Sequence, residues 1–330
     1  MLRGFVVPVD LGDFFDGLTD GPWDEARAAG GLPTFSRLAD RLIAPLSPLP
    51  SPKVPPSEKL VDAMRRLAAG RPWLFSLDAD HPAIRTTLAE GGRAISVLDG
   101  ALVVMTSRRQ AHRLLPVEEV PVTLAGISSH NLRNAMAAAA AALGAGLPEE
   151  AVVEGLRTFV LDPERNPGRA NLFEVDGRVV VIDYAHNEDG MRGLIEICQG
   201  LRAPGGRIFL AFGSAGDRTN AILHRLAYTA ARGPDQVAIA ELHRYLRGRD
   251  PQDLISRLQA GLEDGGKPPA PVFATELEAL EWLLTTSKPN DVLAITALAQ
   301  RAEVFQYLRD RGGTSVGPSR IRELARRGRG

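Results

Sequence analysis

From residue 171 onward, short and almost unbroken apolar runs alternate with longer segments whose apolar positions recur every three or four residues. VVVIDY (179–184), RIFLAFG (207–213) and DVLAIT (291–296) are runs of the first kind, the composition of strands buried on both faces. The pattern predicts a hairpin of Asn171 to Val175 with Arg178 to Tyr184 about Asp176-Gly177. Four predicted helix–strand pairs follow: Glu188 to Leu201 with Arg207 to Phe212, Thr219 to Arg232 with Gln236 to Ala240, Pro251 to Leu262 with Pro271 to Phe273, and Glu276 to Leu284 with Asp291 to Thr296. A helix from Arg301 to Arg309 closes the series. Such alternation folds as a doubly wound, mostly parallel α/β sheet with helices on both faces.

The first half is less regular. Val6 to Leu11 reads as a short strand and Thr34 to Leu42 as a short helix. PLSPLPSPKVPP (45–56) holds six prolines in twelve positions, so it forms neither helix nor central strand and acts as a semi-rigid spacer. SEKLVDAMRRL (57–67) places Leu60, Met64 and Leu67 at helical spacing. Trp73 to Leu77 reads as a strand, Ala94 to Leu98 and Ala101 to Thr106 as a hairpin about Asp99-Gly100, and Val120 to Leu124 as another strand. Ser129 to Leu143 is an alanine-rich helix ended by Gly144 and Gly146, and Pro148 opens a helix from Glu149 to Phe159. The tail from Gly312 is rich in Gly and Arg and is expected to fray.

At 330 residues the chain is long enough for about two domains. With 44% hydrophobic and 24% charged residues, global disorder is excluded. Lys+Arg of 39 against Asp+Glu of 40 argues against a general nucleic-acid or membrane-surface binder. Only four of the basic residues are lysines (Lys53, Lys59, Lys267 and Lys288), so any mechanism needing a lysine has few candidates. The single cysteine, Cys198, excludes a disulfide framework and a cysteine-rich zinc site. Met1 to Pro8 lacks the features of a signal peptide, and the uncharged stretch Asn134 to Pro148 is too short to span a bilayer. A cytoplasmic protein is expected.

In open parallel sheets ligands bind beyond the carboxyl ends of the strands, so the turns there are where chemistry is sought. In DYAHNEDG (183–190), Asp183 ends a strand, where a carboxylate can accept from a ribose diol. His186 and Asn187 open the next helix, whose N–H groups favour anions; the alternative is that Asp183 and Asn187 merely cap turn and helix. In FGSAGDR (212–218), Gly213 and Gly216 let a ligand approach the backbone or leave N–H groups to an anion. There Asp217 is a candidate N-cap, and Arg218 opposes the dipole of the helix that follows. Arg169, presented by the Asn166-Pro167-Gly168 turn, suits phosphate oxygens or is a plain surface arginine. Asn131 and Asn134 share a helix face; their amides match the edge of adenine or point to solvent. His81, His112, His224 and His243 have no partner at metal-ligand spacing, no metal site is expected, and there is no GxSxG elbow.

The order HNxxNxxAAxAA, PGR, DYAHNxxG, GxxGDR resembles the Mur ligase superfamily, ATP-dependent ligases that join a carboxylate to an amine. Glu241 and Arg247-Gly248-Arg249 look most like its cyanophycin synthetase branch. The resemblance covers about residues 60–310. It implies a partial central domain over 57–160, a Rossmann-like C-terminal domain over 161–311, an atypical N-terminal segment with linker over 1–56, and a tail over 312–330. It further implies ATP and Mg²⁺ as cofactors and an acyl-phosphate mechanism. Asn134 would contact adenine with Asn131 in support, Arg169 the phosphates and Asp183 the ribose. His186, as candidate catalytic residue, and Asn187 would lie beside the reacting groups. Gly213, Gly216, Asp217 and Arg218 would face an amino-acid or peptide substrate. The departure from the family is at the phosphate cradle: no GxxxxGK[ST] occurs, and Gly266-Lys267 is followed by Pro268-Pro269. The expectation is a ligase portion inactive alone, its P-loop carried by a separate polypeptide or lost from this sequence; the alternatives are a non-catalytic nucleotide- or peptide-binding subunit, and a likeness of fold only with another small molecule in the cleft.

Overall fold

The computed structural model describes residues 4–8, 71–107 and 111–329. The expected helices at 34–42 and 57–67 and the proline run at 45–56 lie outside them. The chain forms two compact units, one of Met1–Val97, Val103–His112 and Ala140–Gly146, the other of Leu98–Leu102, Arg113–Ala139 and Leu147–Gly330.

Most of the first sheet belongs to the smaller unit. It runs β1 (Gly4–Pro8), β2 (Arg71–Phe75), β3 (Arg93–Leu98), β4 (Ala101–Thr106) and β5 (Ala111–Pro116), in that spatial order. β1, β2 and β3 are parallel neighbours. Between β2 and β3 lies helix α1 (Pro82–Ala89), which His81 caps by accepting from Ala83 N. Asp99 and Gly100 both have positive φ, 47° and 70°, the conformation of a tight hairpin turn.

The expected strand at 120–124 is not formed. Two short 3₁₀ turns, Val117–Glu119 and Pro121–Thr123, take its place. Pro121 removes a ladder donor, and the Thr123 hydroxyl bonds the carbonyls of Val117 and Val120, which curls the segment. Helices α2 (Ser129–Gly144) and α3 (Glu149–Thr158) follow.

The larger unit is built on β6 (Asn171–Val175), β7 (Arg178–Asp183), α4 (Glu188–Leu201), β8 (Ile208–Phe212), α5 (Asn220–Ala231), β9 (Gln236–Ala240), α6 (Pro251–Asp264), β10 (Val272–Phe273), α7 (Glu276–Thr286), β11 (Val292–Thr296), α8 (Arg301–Asp310), β12 (Thr314–Ser315) and α9 (Pro318–Arg329). The strand order is β10-β9-β8-β11-β7-β6-β12, parallel from β10 to β7 and antiparallel from β7 to β12. Every residue of β8 and β11 is buried, as apolar runs in the middle of a two-faced sheet demand. Separate apolar clusters cover the two faces: Leu194, Cys198, Leu226 and Leu258 help build one, Leu280, Leu283, Val304 and Leu308 the other. Each such side chain contributes about 1.5–3 kcal/mol by leaving water.

Helix starts are set by side-chain caps: Asn187 on α4, Thr219 on α5, Asp250 before Pro251 on α6, and Thr275 on α7. Asp217 is thus not the cap of α5; the cap lies two residues later, at Thr219. Nor does the tail fray. β12 pairs with β6, and α9 buries Ile321, Leu324 and Ala325 while Arg320 bonds Glu174. These apolar residues recur at helical spacing, which the surrounding arginines mask.

The chain reverses around β11, which is inserted between β7 and β8. A crevice at the carboxyl ends of β7, β11 and β8 is where this topology places a ligand.

Candidate functional site

All the candidate residues lie in the larger unit. Asp183 is the last residue of β7, and in register its partner on β11 is Thr296. The Thr296 hydroxyl, fully buried, in turn accepts from Gly213 N at 3.3 Å. The ends of the three strands are therefore joined in one row. The Asp183 carboxylate accepts from Ala170 N at 2.7 Å. Burial raises its pKa above the usual 3.8; the Ala170 N–H, the Arg169 guanidinium, the Ala185 N–H and His130 pull the other way. Arg169 from the turn before β6 and His130 from the first turn of α2 thus both face this carboxylate.

The residues after Asp183 turn sharply into α4. His186 Nδ1 lies 3.0 Å from Tyr184 O, and a carbonyl only accepts, so the proton sits on Nδ1. Its Nε2 is buried and has no hydrogen-bond partner among the described residues. Asn187 Oδ1 accepts from Gly190 N at 2.7 Å, so its carbonyl end caps α4, as the plainer of its two readings expected. Arg169 stacks over Tyr184, with its guanidinium carbon 5.4 Å from the ring centroid. Asn171 Oδ1 accepts from Gly168 N at 2.6 Å and fixes the turn that presents Arg169. Asn171 Nδ2 is left buried and unpartnered.

The glycine turn after β8 is used differently from the expectation of open N–H groups. Gly213 N bonds Thr296 and Gly216 N donates to Tyr245 O at 2.8 Å, so neither N–H is left for an anion. Both glycines are required by close approach: a Cβ at Gly213 would stand 2.5 Å from Ala240 O, and one at Gly216 2.0 Å from Leu246 O. Asp217 is ion-paired with Arg247. Arg249 bonds Gly216 O, Arg218 O, Asn220 and Asp253, tying this turn to α6. Asn131 is half-buried and Asn134 exposed on α2. Their helix start is anchored by Ser128 Oγ, which accepts from Asn131 N, and by Glu196 of α4, which accepts from both Ser129 N and its hydroxyl.

Two site residues escaped sequence reasoning. Glu276, 1% exposed at the start of α7, accepts from Leu298 N, Ala299 N and Gln300 N. Gln300 Oε1 returns a bond by accepting from Leu277 N. The start of α7 is thereby locked to the turn after β11, the turn that delivers Arg301. Burial raises the Glu276 pKa, opposed by the three N–H bonds. Arg301, like Arg218, is a cation near a helix start, where it opposes the helix dipole. Among the described residues no group of three or more His, Cys, Asp or Glu is placed to hold a metal ion, and no helix is long and apolar enough to cross a membrane.

The same stretch of chain resembles known proteins. Residues 168–298 match the family described as Mur ligase, glutamate ligase domain. Cyanophycin synthetase from Synechocystis is 31% identical over 187 residues, covering 56% of this chain and 21% of that protein. The UDP-N-acetylmuramoyl-L-alanyl-D-glutamate–2,6-diaminopimelate ligase of Prochlorococcus marinus is 27% identical over 56% of this chain and 35% of its own length. The chain thus spans about a fifth to a third of these relatives. Among solved structures, the bifunctional folylpolyglutamate synthase/dihydrofolate synthase of Yersinia pestis, complexed with AMPPNP and Mn ion, shares the fold with a TM-score of 0.52 at 18% identity. That match covers 77% of this chain and 51% of that one.

Proposed function

We propose that this chain, whose residues 168–298 match the family described as Mur ligase, glutamate ligase domain, is the nucleotide-closing portion of an ATP-dependent carboxylate–amine ligase of the cyanophycin synthetase type. The observation that carries the proposal is the Asp183 carboxylate, held at the end of β7 beside Arg169 and His130 in the crevice of the sheet reversal. The described residues suit an adenine nucleotide. Asp183 is an acceptor for a ribose diol, Arg169 a fork for phosphate oxygens, and Asn131 and Asn134 amides for the base edge. Among the described residues no group of three or more His, Cys, Asp or Glu is placed to hold a metal ion by protein ligands alone; a divalent cation would be held chiefly by the nucleotide phosphates.

When bound, ATP supplies the phosphoryl group that activates a carboxylate for attack by an amine. The chain's own contribution is positioning and charge. Arg169 neutralises negative charge at the phosphate end. Asp183 orients the sugar. His186 offers the Nε2 lone pair to a ligand N–H or O–H, its tautomer set by Tyr184 O. Asp217 and Arg218, after β8, lie toward the amino-acid or peptide substrate. Titration calorimetry of the full chain with ADP tests the reading: binding is expected in the wild type and lost in Asp183→Ala, and an unchanged affinity removes the ribose assignment.

A second reading is favoured by the missing GxxxxGK[ST]: a nucleotide- or peptide-binding subunit without turnover. In both readings this chain alone does not hydrolyse ATP at a useful rate, and a P-loop polypeptide must complete the ligase in the first. Phosphate release with ATP, Mg²⁺ and candidate amino acids is the check; robust turnover by the chain alone refutes both. Restoration of turnover by an added P-loop domain selects the first.

A further inference from the structure

The side chain of Arg301, the first residue of α8, runs along the Gly168 turn. A Cβ at Gly168 would stand 2.8 Å from Arg301 Cδ and 3.4 Å from Nη1. The guanidinium carbon of Arg301 ends 5.9 Å from the centroid of the Tyr184 ring, the ring on which Arg169 already stacks at 5.4 Å. Two cations therefore share one aromatic ring. Among the described residues neither guanidinium has a hydrogen bond or a salt bridge, and the one opposite charge near the pair is the Asp183 carboxylate that Arg169 faces.

Among the described residues no other ring carries two cations. Arg207, Arg309 and Arg311 also stack on rings, but each has a second partner, in Asp291, Glu164 and the Tyr307 hydroxyl. Arg93 and Arg232 stack singly, with no second cation on their ring. A ring quadrupole attracts a guanidinium but does not cancel the repulsion between two of them. Neighbouring like charges with unfilled donors are relieved by a multiply charged oxyanion, whose oxygens match the guanidinium fork. Nor is Arg301 loosely placed: the turn that carries it is held by Glu276 through Leu298, Ala299 and Gln300.

We infer that Arg301 and Arg169 form one clamp over Tyr184 for a phosphate-type oxyanion, with Arg301 its unassigned half. The clamp stands on this geometry alone; only its assignment to a nucleotide phosphate rests on the proposed function.

Calorimetry on the full chain at low ionic strength tests it, with pyrophosphate, inorganic phosphate, L-glutamate and ADP as probes. Pyrophosphate affinity is expected to fall roughly ten-fold or more in Arg301→Met and in Arg169→Met. It should recover in part in Arg301→Lys, which keeps charge and stem and so separates binding from folding. Arg311→Met, which removes a stacked arginine just past the far end of the same helix, should leave it unchanged. The clamp is overturned by an unaltered affinity in Arg301→Met, by an equal loss in Arg311→Met, or by no pyrophosphate binding to the folded wild type. Glutamate binding tighter than pyrophosphate overturns the phosphate class. ADP binding that needs Asp183 but ignores Arg301→Met sinks the clamp and leaves the nucleotide reading intact. Pyrophosphate binding through both arginines without any ADP binding supports the clamp and sinks that reading.

Discussion

Glu276 offers a sharp test of how the site is held, because it is a buried acid whose partners are three backbone N–H groups of one turn. Its carboxylate receives Leu298 N and Gln300 N at 2.6 Å each and Ala299 N at 3.0 Å. Glu276→Ala strands three N–H groups in a place with little room for water. At about 1–3 kcal/mol per orphaned donor, partly recovered by relaxation, the expected cost is on the order of 3–5 kcal/mol. For a unit of this size that is a fall in Tm of roughly 10 °C. Glu276→Gln keeps the shape but turns an amide N–H₂ toward a donor, and should cost about 1–2 kcal/mol. The pH dependence has a definite sign. The folded pKa is raised above 4.5, so between that value and the raised one the folded state binds more protons. The Glu276 contribution to stability is then largest below 4.5 and declines as pH rises through the folded pKa. Urea melts between about pH 4 and 7 should show this limb in the wild type and not in Glu276→Gln. Glu276→Ala should also weaken pyrophosphate binding, because the turn carrying Arg301 is released. An alanine variant within about 1 kcal/mol of the wild type would mean that the turn holds itself and the lock is decorative.

Four other expectations follow from local contacts. Asp183 has a folded pKa above 3.8, so its own contribution to stability also declines as pH rises through that window, and Asp183→Asn should abolish this limb. Because a ribose diol needs the ionised carboxylate, adenosine affinity should fall on acidification while still above 3.8, with a flat profile in Asp183→Asn; matching profiles would refute the assignment. Gly216→Ala would drive a methyl into the Leu246 carbonyl, which is backbone and cannot swing aside, and chemical denaturation should show a loss of about 1–3 kcal/mol. Ending the chain after Gly317 removes buried Ile321 and Leu324 and the Arg320–Glu174 pair, and should cost about 3–5 kcal/mol. A melt unchanged by that truncation would show that α9 adds nothing to the unit.

What could be foreseen from the sequence divides along a physical line. The strands of the larger sheet announce themselves because a strand buried on both faces must be apolar at every position, as β8 and β11 are. Asp183 and Arg169 could be named because strand ends and Pro-Gly turns are local features, and the crevice needs only the order of the strands. Local signals failed where a side chain competes with the backbone: the apolar run at 120–124 looks like a strand until Pro121 and the Thr123 hydroxyl are weighed. They failed again in the tail, where composition was allowed to outvote the spacing of Ile321, Leu324 and Ala325. The lock at Glu276 was beyond reach in a different way. An acid in the first turn of a helix is ordinary, and only the packing of α7 beside β11 brings it to the N–H groups of residues 298–300. The same holds for Arg301, which reaches Tyr184 across more than a hundred residues of sequence. The groups proposed to meet a ligand thus come largely from strand ends, legible one turn at a time. The groups that set their charge balance and rigidity come from contacts between turns, and these exist only once the sheet has closed.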